Sequence, residues 1–389
     1  MAAKPELRRW QKEALSRWEE AGGRGIVAAV TGGGKTLLAL HCLDIFRRQV
    51  PAATALVIVP TAALLEQWVD EVLAFFDVPP SHVAVLKGRR RISESRINVG
   101  VLNTVAMLPV SERASNTFLI VDECHRAASE TFRHVFNHSY IRSLGLSATP
   151  ERQYDSGLDD VLVPHLGPVV YRYTYRDALA DRVIVPFQLV NVVFPFSDDE
   201  RQQYDRATRS IIVSARRYGI ESEQTVRLLL RRARLSNQSL TRVKWALRLV
   251  AENRGRKMLV FHEDIHACDL ICKVLREHGF AAASYHSRMP IRERVSALQS
   301  YRSGEIAILV TCRALDEGFN APETEVGIVA ASTATYRQRI QRLGRVLRPS
   351  PGKSQATVYS IVASDPEIRR LAEEAANLEG VAEVIWRTV

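Results

Sequence analysis

Residues 29–36 read Ala-Val-Thr-Gly-Gly-Gly-Lys-Thr, and residues 122–125 read Asp-Glu-Cys-His. A glycine-rich stretch closing on Lys-Thr suits a phosphate ester, because glycines let backbone N–H groups approach the oxygens with no Cβ in the way. Thr31, Gly32, Gly33 and Gly34 form the expected cradle. Lys35 is expected on the β- and γ-phosphates and Thr36 on Mg²⁺. Two adjacent carboxylates supply the complementary chemistry: Asp122 to ligate Mg²⁺ and Glu123 to polarise the attacking water. The usual glycine at the head of such a loop is Ala29 in this chain. The chemistry implied is hydrolysis of ATP, with ATP and Mg²⁺ as cofactors.

These side chains need strand ends to present them. Short β-branched runs at 25–30, 55–60, 83–86, 97–102, 118–121 and 143–147 predict buried strands, alternating with amphipathic stretches such as 62–76. Buried strands alternating with helices predict a parallel sheet covered on both faces. The same texture returns at 257–262, 281–285, 306–310, 326–330 and 356–361, without a second phosphate loop. The fold class expected is therefore α/β, with two parallel-sheet lobes and a nucleotide held where they meet. Residues 1–186 form the first lobe, 187–256 a crossover with a helical insertion, and 257–389 the second lobe.

The chain has 389 residues, a formal charge of +10 and an apolar fraction of 46%, the balance of a globular protein with a polyanionic partner. A generic arginine-rich surface would give the same total. The charge is concentrated, however. Between Asp198 and Arg256 fourteen basic residues face seven acidic ones, which fits a nucleic-acid contact, with a solvated helical hairpin as the alternative. The run Lys87-Gly88-Arg89-Arg90-Arg91 is open in the same way. Five cysteines without a pairing pattern argue for a reducing, cytoplasmic setting. No apolar run is long enough for a bilayer, so no membrane partner is expected. His262, His266, Cys268 and Cys272 have zinc-like spacing, but Ile265, Cys268, Cys272 and Leu275 form one apolar helix stripe, which favours core packing. Trp10, Trp18 and Trp68 read as hydrophobic filling.

The strings Asp122-Glu123-Cys124-His125, Ser147-Ala148-Thr149-Pro150 and Gln341-Arg342-Leu343-Gly344-Arg345-Val346-Leu347-Arg348-Pro349 resemble motifs II, III and VI of superfamily-two helicases. The resemblance continues in Leu7-Arg8-Arg9-Trp10-Gln11, similar to an adenine-reading segment with Arg8 and Gln11 as contacts. Within the superfamily the chain resembles the short prokaryotic XPB type of DNA helicase. This implies two RecA-like lobes, a thumb-like helical insertion, and ATP-driven helicase or translocase activity, in DNA repair or a related genome process. It implies that Gln341, Arg345 and Arg348 join Lys35, Asp122 and Glu123 in catalysis, and that Gly318 and Asn320 of motif V join the ATP site. Ser147 and Thr149 would couple phosphate state to closure. Pro60 and Thr61 (motif Ia), Asn103 and Thr104 (Ib), His262 (IV) and Thr311 (V) would grip one DNA strand. The implied partner is DNA at a single strand or duplex junction, bound by a monomer, with a nuclease or repair protein as a further partner. Three positions depart from the type: Arg152-Gln153-Tyr154 stands where Arg-Glu-Asp is usual, Asn320 where Asp is frequent, and the adenine segment begins by residue 7, which predicts no damage-recognition domain ahead of it. An RNA helicase and a translocase module serving a nuclease or restriction partner are the competing readings.

Overall fold

A computed structural model describes residues 4–50, 52–87, 92–94, 96–109, 116–150, 156–312, 323–331 and 346–389. The chain divides into two compact units, one running to Ala180 and the next beginning at Asp181. Each is built on a seven-stranded sheet in which every pairing between strands is parallel. These are the two RecA-like sheets expected from the sequence.

In the first unit the sheet order is β3-β4-β2-β5-β6-β1-β7. The strands are β1 (Arg24–Ala29), β2 (Thr54–Val59), β3 (Val83–Leu86), β4 (Ile97–Val101), β5 (Thr117–Asp122), β6 (Arg142–Ser147) and β7 (Val169–Tyr173). All six residues of β2 and all six of β5 are buried, as a sheet covered on both faces requires. Helix α1 (Arg9–Glu20) lies beside β7 and β1, α2 (Lys35–Gln49) follows β1, and α3 (Ala62–Phe76) follows β2. Edge strand β7 is half-exposed, so it lacks the apolar run that marks the other six in the sequence.

The second sheet has the order β10-β11-β9-β12-β13-β8-β14. Its strands are β8 (Phe187–Val193), β9 (Met258–His262), β10 (Ala282–Tyr285), β11 (Ile308–Cys312), β12 (Val326–Val329), β13 (Ala356–Val362) and β14 (Glu383–Thr388). Five of these were legible as apolar runs. Strand β14 is an exposed edge, and β8 lies in what reads as the crossover. Since β8 pairs with β13 along its whole length, the helical segment after it is an excursion of the second unit, between β8 and β9. It comprises α4 (Asp198–Tyr218), α5 (Glu223–Asn237) and α6 (Leu240–Glu252). Helices α4 and α5 form a hairpin, pinned by the Ser214 and Thr225 hydroxyls 2.8 Å apart. Helix α6 buries Val243, Ala246, Leu249 and Val250 in the sheet's core. Helix α7 (Ile265–Glu277) buries Cys268, Ile271, Cys272 and Leu275 there, so the zinc-like spacing is a packing stripe.

Candidate active site

Every first-unit site residue read from the sequence, apart from Arg8 and Gln11, lies at the carboxyl end of a strand or in the segment just after it. Such ends are where parallel α/β sheets gather ligands, because connecting loops and helix N-termini converge there. After β1 the loop turns through Gly32 (φ 85°) and Gly34 (φ 99°), left-handed conformations that cost a side chain strain. Gly34 then N-caps α2. A Cβ on Gly34 would stand 2.8 Å from Gln11 Nε2, because that amide donates to the Gly34 carbonyl at 2.8 Å. Arg8 Nη1 donates to the Gly33 carbonyl at 3.4 Å. The segment expected to read adenine is thus fastened to the phosphate loop. Trp10 stacks on Tyr173 with ring centroids 4.5 Å apart, and this pair lies beneath Gly33.

Lys35 Nζ donates to the Ala29 carbonyl at 2.9 Å, folded over its own loop. The buried Thr31 Oγ1 has no partner among the described residues. An orphaned hydroxyl, a cradle of left-handed glycines and a helix N-terminus fit a phosphate chain. The Thr36 hydroxyl and Asp122 carboxylate are hard oxygen donors, the kind Mg²⁺ takes.

Asp122 closes β5, 9% exposed. Its Oδ2 accepts from Trp68 Nε1 at 2.9 Å and its Oδ1 from the Glu123 N–H at 3.0 Å. Burial pushes the Asp122 carboxyl above its ordinary range, while Trp68, the Lys35 charge and the Glu123 amide pull it back. Glu123 adopts φ 47°, a left-handed conformation unusual for a glutamate. This backbone twist turns its carboxylate toward His125, whose Nδ1 is 3.4 Å from Glu123 Oε2 and 3.0 Å from Ser147 Oγ. Ser147 Oγ in turn accepts from the Thr149 N–H at 3.1 Å. A polar chain therefore runs Glu123–His125–Ser147–Thr149, from the end of β5 to the end of β6.

The expected nucleic-acid contacts divide. Asn103 is exposed and Thr61 and Thr104 are half-buried at the ends of β2 and β4, with Pro60 buried. The Thr61 hydroxyl caps α3, accepting from the Leu64 N–H at 3.4 Å. In the second unit His262 and Thr311, expected by motif to contact a DNA strand, are each 1% exposed at strand ends. His262 closes β9, and its Nδ1 accepts from the Asp264 N–H at 3.0 Å. Burial, with the nearby Arg242 charge, depresses the ring's pKa to about 4. Arg348 is half-buried, and its carbonyl accepts from Lys353 Nζ at 2.7 Å. Gly318, Asn320, Gln341, Arg345 and the 152–154 triplet lie outside the described residues.

Two residues with roles at this site were missed as such in the sequence. Trp68 reads as filling, yet its N–H holds the Asp122 carboxylate. His125 reads as the tail of a motif, yet it joins motif II to Ser147. The spacing of Trp68, seven residues past Thr61 on a helix after β2, contained no signal that its indole would reach β5.

This geometry defines a class: a P-loop ATPase motor assembled from RecA-like units. Two family models cover much of it. The one described as "Type III restriction enzyme, res subunit" matches residues 4–152, and "Helicase conserved C-terminal domain" matches residues 241–350. The chain is 27% identical over 393 residues to the DNA 3'-5' translocase XPB2 of Sulfurisphaera tokodaii, covering 95% of this chain and 84% of that protein. It is also 27% identical over 367 residues to the DNA 3'-5' helicase XPB of Kineococcus radiotolerans, covering 92% of this chain and 60% of that protein. Among solved structures, S. cerevisiae Dbp5 bound to RNA and ADP BeF3 superposes with a TM-score of 0.63 at 12% identity, covering 98% of this chain and 90% of that one. The Type ISP restriction-modification enzyme LlaBIII bound to DNA gives 0.65 at 14% identity, covering 100% of this chain and 31% of that one. At such identities the structural likeness is one of fold. The two matched models mark the chain as an ATP-driven helicase, and its sequence is similar to proteins named XPB.

Proposed function

We propose that this protein is an ATP-dependent DNA translocase and helicase of XPB-like type, moving 3′ to 5′. The observation that carries the proposal is the polar chain Glu123–His125–Ser147–Thr149, which leads from the hydrolytic carboxylate to the next strand end. A bare ATPase needs a base for water; it has no need for a chain of polar side chains leading from that base into the strand-end loops. The names of the relatives support DNA and the 3′-to-5′ direction.

In this reading Gly32, Gly33, Gly34 and Lys35 hold the phosphates of ATP, and Thr36 and Asp122 hold Mg²⁺, which neutralises developing charge on the phosphates. Glu123 orients the water for in-line attack. Loss of the γ-phosphate changes what Glu123 faces, and His125 passes the change to Ser147 and Thr149. Arg345 and Arg348 complete the site as arginine fingers, a planar permanent charge suited to the transition state, with Gln341, Gly318 and Asn320 beside them by motif. Thr61, Asn103, Thr104 and the basic hairpin α4–α5 contact the strand's phosphates, giving sequence-independent, salt-sensitive binding. The protein works as a monomer on DNA, in repair or a related genome process, in the cytoplasm, where its five buried cysteines suit a reducing medium. Among the described residues no helix is long and apolar enough to cross a membrane.

A second reading is a translocase that opens duplex poorly and serves a nuclease or restriction partner. It is favoured by Gln153-Tyr154 in place of Glu-Asp and by the restriction-subunit model over residues 4–152. The deciding experiment measures ATPase stimulation by matched DNA and RNA strands, then displacement of 3′- and 5′-tailed duplexes and of a triplex. DNA-selective stimulation with 3′-tailed unwinding is expected. Triplex displacement without unwinding selects the second reading, and RNA-selective stimulation overturns both.

A further inference from the structure

The helical insertion of the second unit is fastened to its sheet by a charged group that ATP chemistry does not require. Arg242, in the first turn of α6, is 0% exposed. Its Nε donates to the Ser236 carbonyl at 2.7 Å, and Nη1 donates to the carbonyls of Ala330 and Ile361 at 3.2 and 2.5 Å. Its Nη2 donates to Ser236 Oγ at 2.8 Å and to both Glu367 carboxylate oxygens, at 2.5 and 2.7 Å. Ser236 lies in the last turn of α5, Ala330 directly follows β12, and Ile361 is the penultimate residue of β13, ahead of α8 (Asp365–Asn377), whose first turn holds Glu367.

Neighbouring residues extend the fastening. Asn237 Nδ2 donates to Glu263 Oε2 at 3.3 Å and Gln238 Nε2 to Asp264 Oδ2 at 3.5 Å. Those acids form the turn after β9, where Asp264 caps α7 and donates its N–H to His262. The start of the hairpin arrives at the same place: Thr241 Oγ1 donates to Glu200 Oε2 at 3.1 Å. Both ends of α4–α5 therefore converge on one turn, 236–242, and that turn is joined to the carboxyl ends of β9, β12 and β13.

Adhesion alone does not call for this. Val243, Ala246, Leu249 and Val250 already anchor α6 in the core, and burying an ion pair forfeits hydration that apolar packing would not. What a guanidinium adds is direction, since its planar donors fit one arrangement of three carbonyls, a hydroxyl and a carboxylate. We infer that Arg242, held by Glu367 and assisted by Asn237, is a positioning residue that conveys engagement of nucleic acid by the α4–α5 hairpin to the strand ends of the second sheet. The inference rests on the reading that the hairpin grips DNA. Arg209, Arg217 and Arg231 are exposed along it, remote in sequence from every ATP-site motif, so conveyance is what the hairpin needs in order to influence turnover.

The test uses the full chain with single-stranded DNA and measures four quantities: unstimulated kcat, KM for ATP, DNA-stimulated kcat, and DNA affinity by anisotropy. Arg242→Lys keeps the charge and loses the fork; Asn237→Ala cuts one thread. For both, unstimulated kcat, KM and DNA affinity are expected to stay within about twofold of wild type. Stimulated kcat is expected to fall about tenfold for Arg242→Lys and about threefold for Asn237→Ala, the scale of one charge-assisted and one neutral hydrogen bond. Stimulation retained in a folded variant overturns the inference, as does an equal loss of stimulated and unstimulated kcat, the mark of a merely structural role. Should Arg242→Lys lack a cooperative melt, Asn237→Ala decides by the same criteria. A wild type that DNA does not stimulate removes the underlying reading, and the inference with it.

Discussion

Among the described residues, the Trp68 indole N–H is the side-chain donor on the Asp122 carboxylate, 2.9 Å from Oδ2. Trp68→Phe keeps an aromatic ring at a position 1% exposed and deletes only that donor and the indole's second ring. A buried hydrogen bond to a charged group contributes about 1.5–3 kcal/mol, and one pKa unit corresponds to about 1.36 kcal/mol. The Asp122 carboxyl, already raised by burial and held down first by Trp68, is therefore expected to rise further when that donor is lost. Activity requires the ionised form, so it is lost as pH falls through that pKa. The acid limb of kcat/KM for Mg-ATP, which reports the free enzyme, should move to higher pH by the same amount. The smaller ring should lower stability by about 1–3 kcal/mol through poorer packing. The assay is a pH–rate profile at saturating nucleic acid, with a thermal melt at each pH. A variant that melts cooperatively and whose acid limb coincides with the parent's would falsify the argument.

Glu123→Gln should cut ATP turnover by about a hundredfold or more while leaving nucleotide binding intact, read by steady-state ATPase and a fluorescent-nucleotide titration. Ser147→Ala removes the hydroxyl that pairs with His125 Nδ1 and accepts from the Thr149 N–H. It should spare ATP turnover to within a few-fold yet lower strand displacement per ATP by about tenfold, comparable to the removal of one hydrogen bond; equal losses in both would argue against the relay. Gly34→Ala forces a side chain into φ 99° with its Cβ 2.8 Å from Gln11 Nε2. The cost should be about 1–3 kcal/mol in the melt, accompanied by a raised KM for ATP. Replacing Arg209, Arg217 and Arg231 together by Gln should flatten the plot of log affinity for single-stranded DNA against log salt by about 0.7 for each phosphate no longer neutralised; an unchanged slope would remove the hairpin from the DNA path.

Strands and phosphate chemistry were written locally. Buried parallel strands must be continuous apolar runs, so nine of them stood out in the sequence; the half-buried edges β3 and β10 showed as short apolar runs too, whereas the half-exposed edge β7 and the exposed edge β14 did not. The loop at 31–36 and the carboxylates at 122 and 123 were legible for the same reason: each function is carried by residues a few positions apart on one turn of chain. Strand β8 has an apolar sequence, but its membership of the second sheet depends on pairing with β13, more than 160 residues away.

The amino-acid sequence alone determined the ATPase chemistry, the two parallel sheets and the basic helical segment, because spacing along the backbone fixes which groups share a loop, a strand face or a helix stripe. Only the tertiary structure decided which side chains serve those groups from a distance. Trp68 turned from filling into the donor on Asp122, His125 into the link between Glu123 and Ser147, and Arg242 into the buried hub of the insertion. The tertiary structure also showed that His262 and Thr311 are buried at their strand ends. A hydrogen bond between residues far apart in the chain depends on how strands and helices stack, and no local pattern of residue types carries that information.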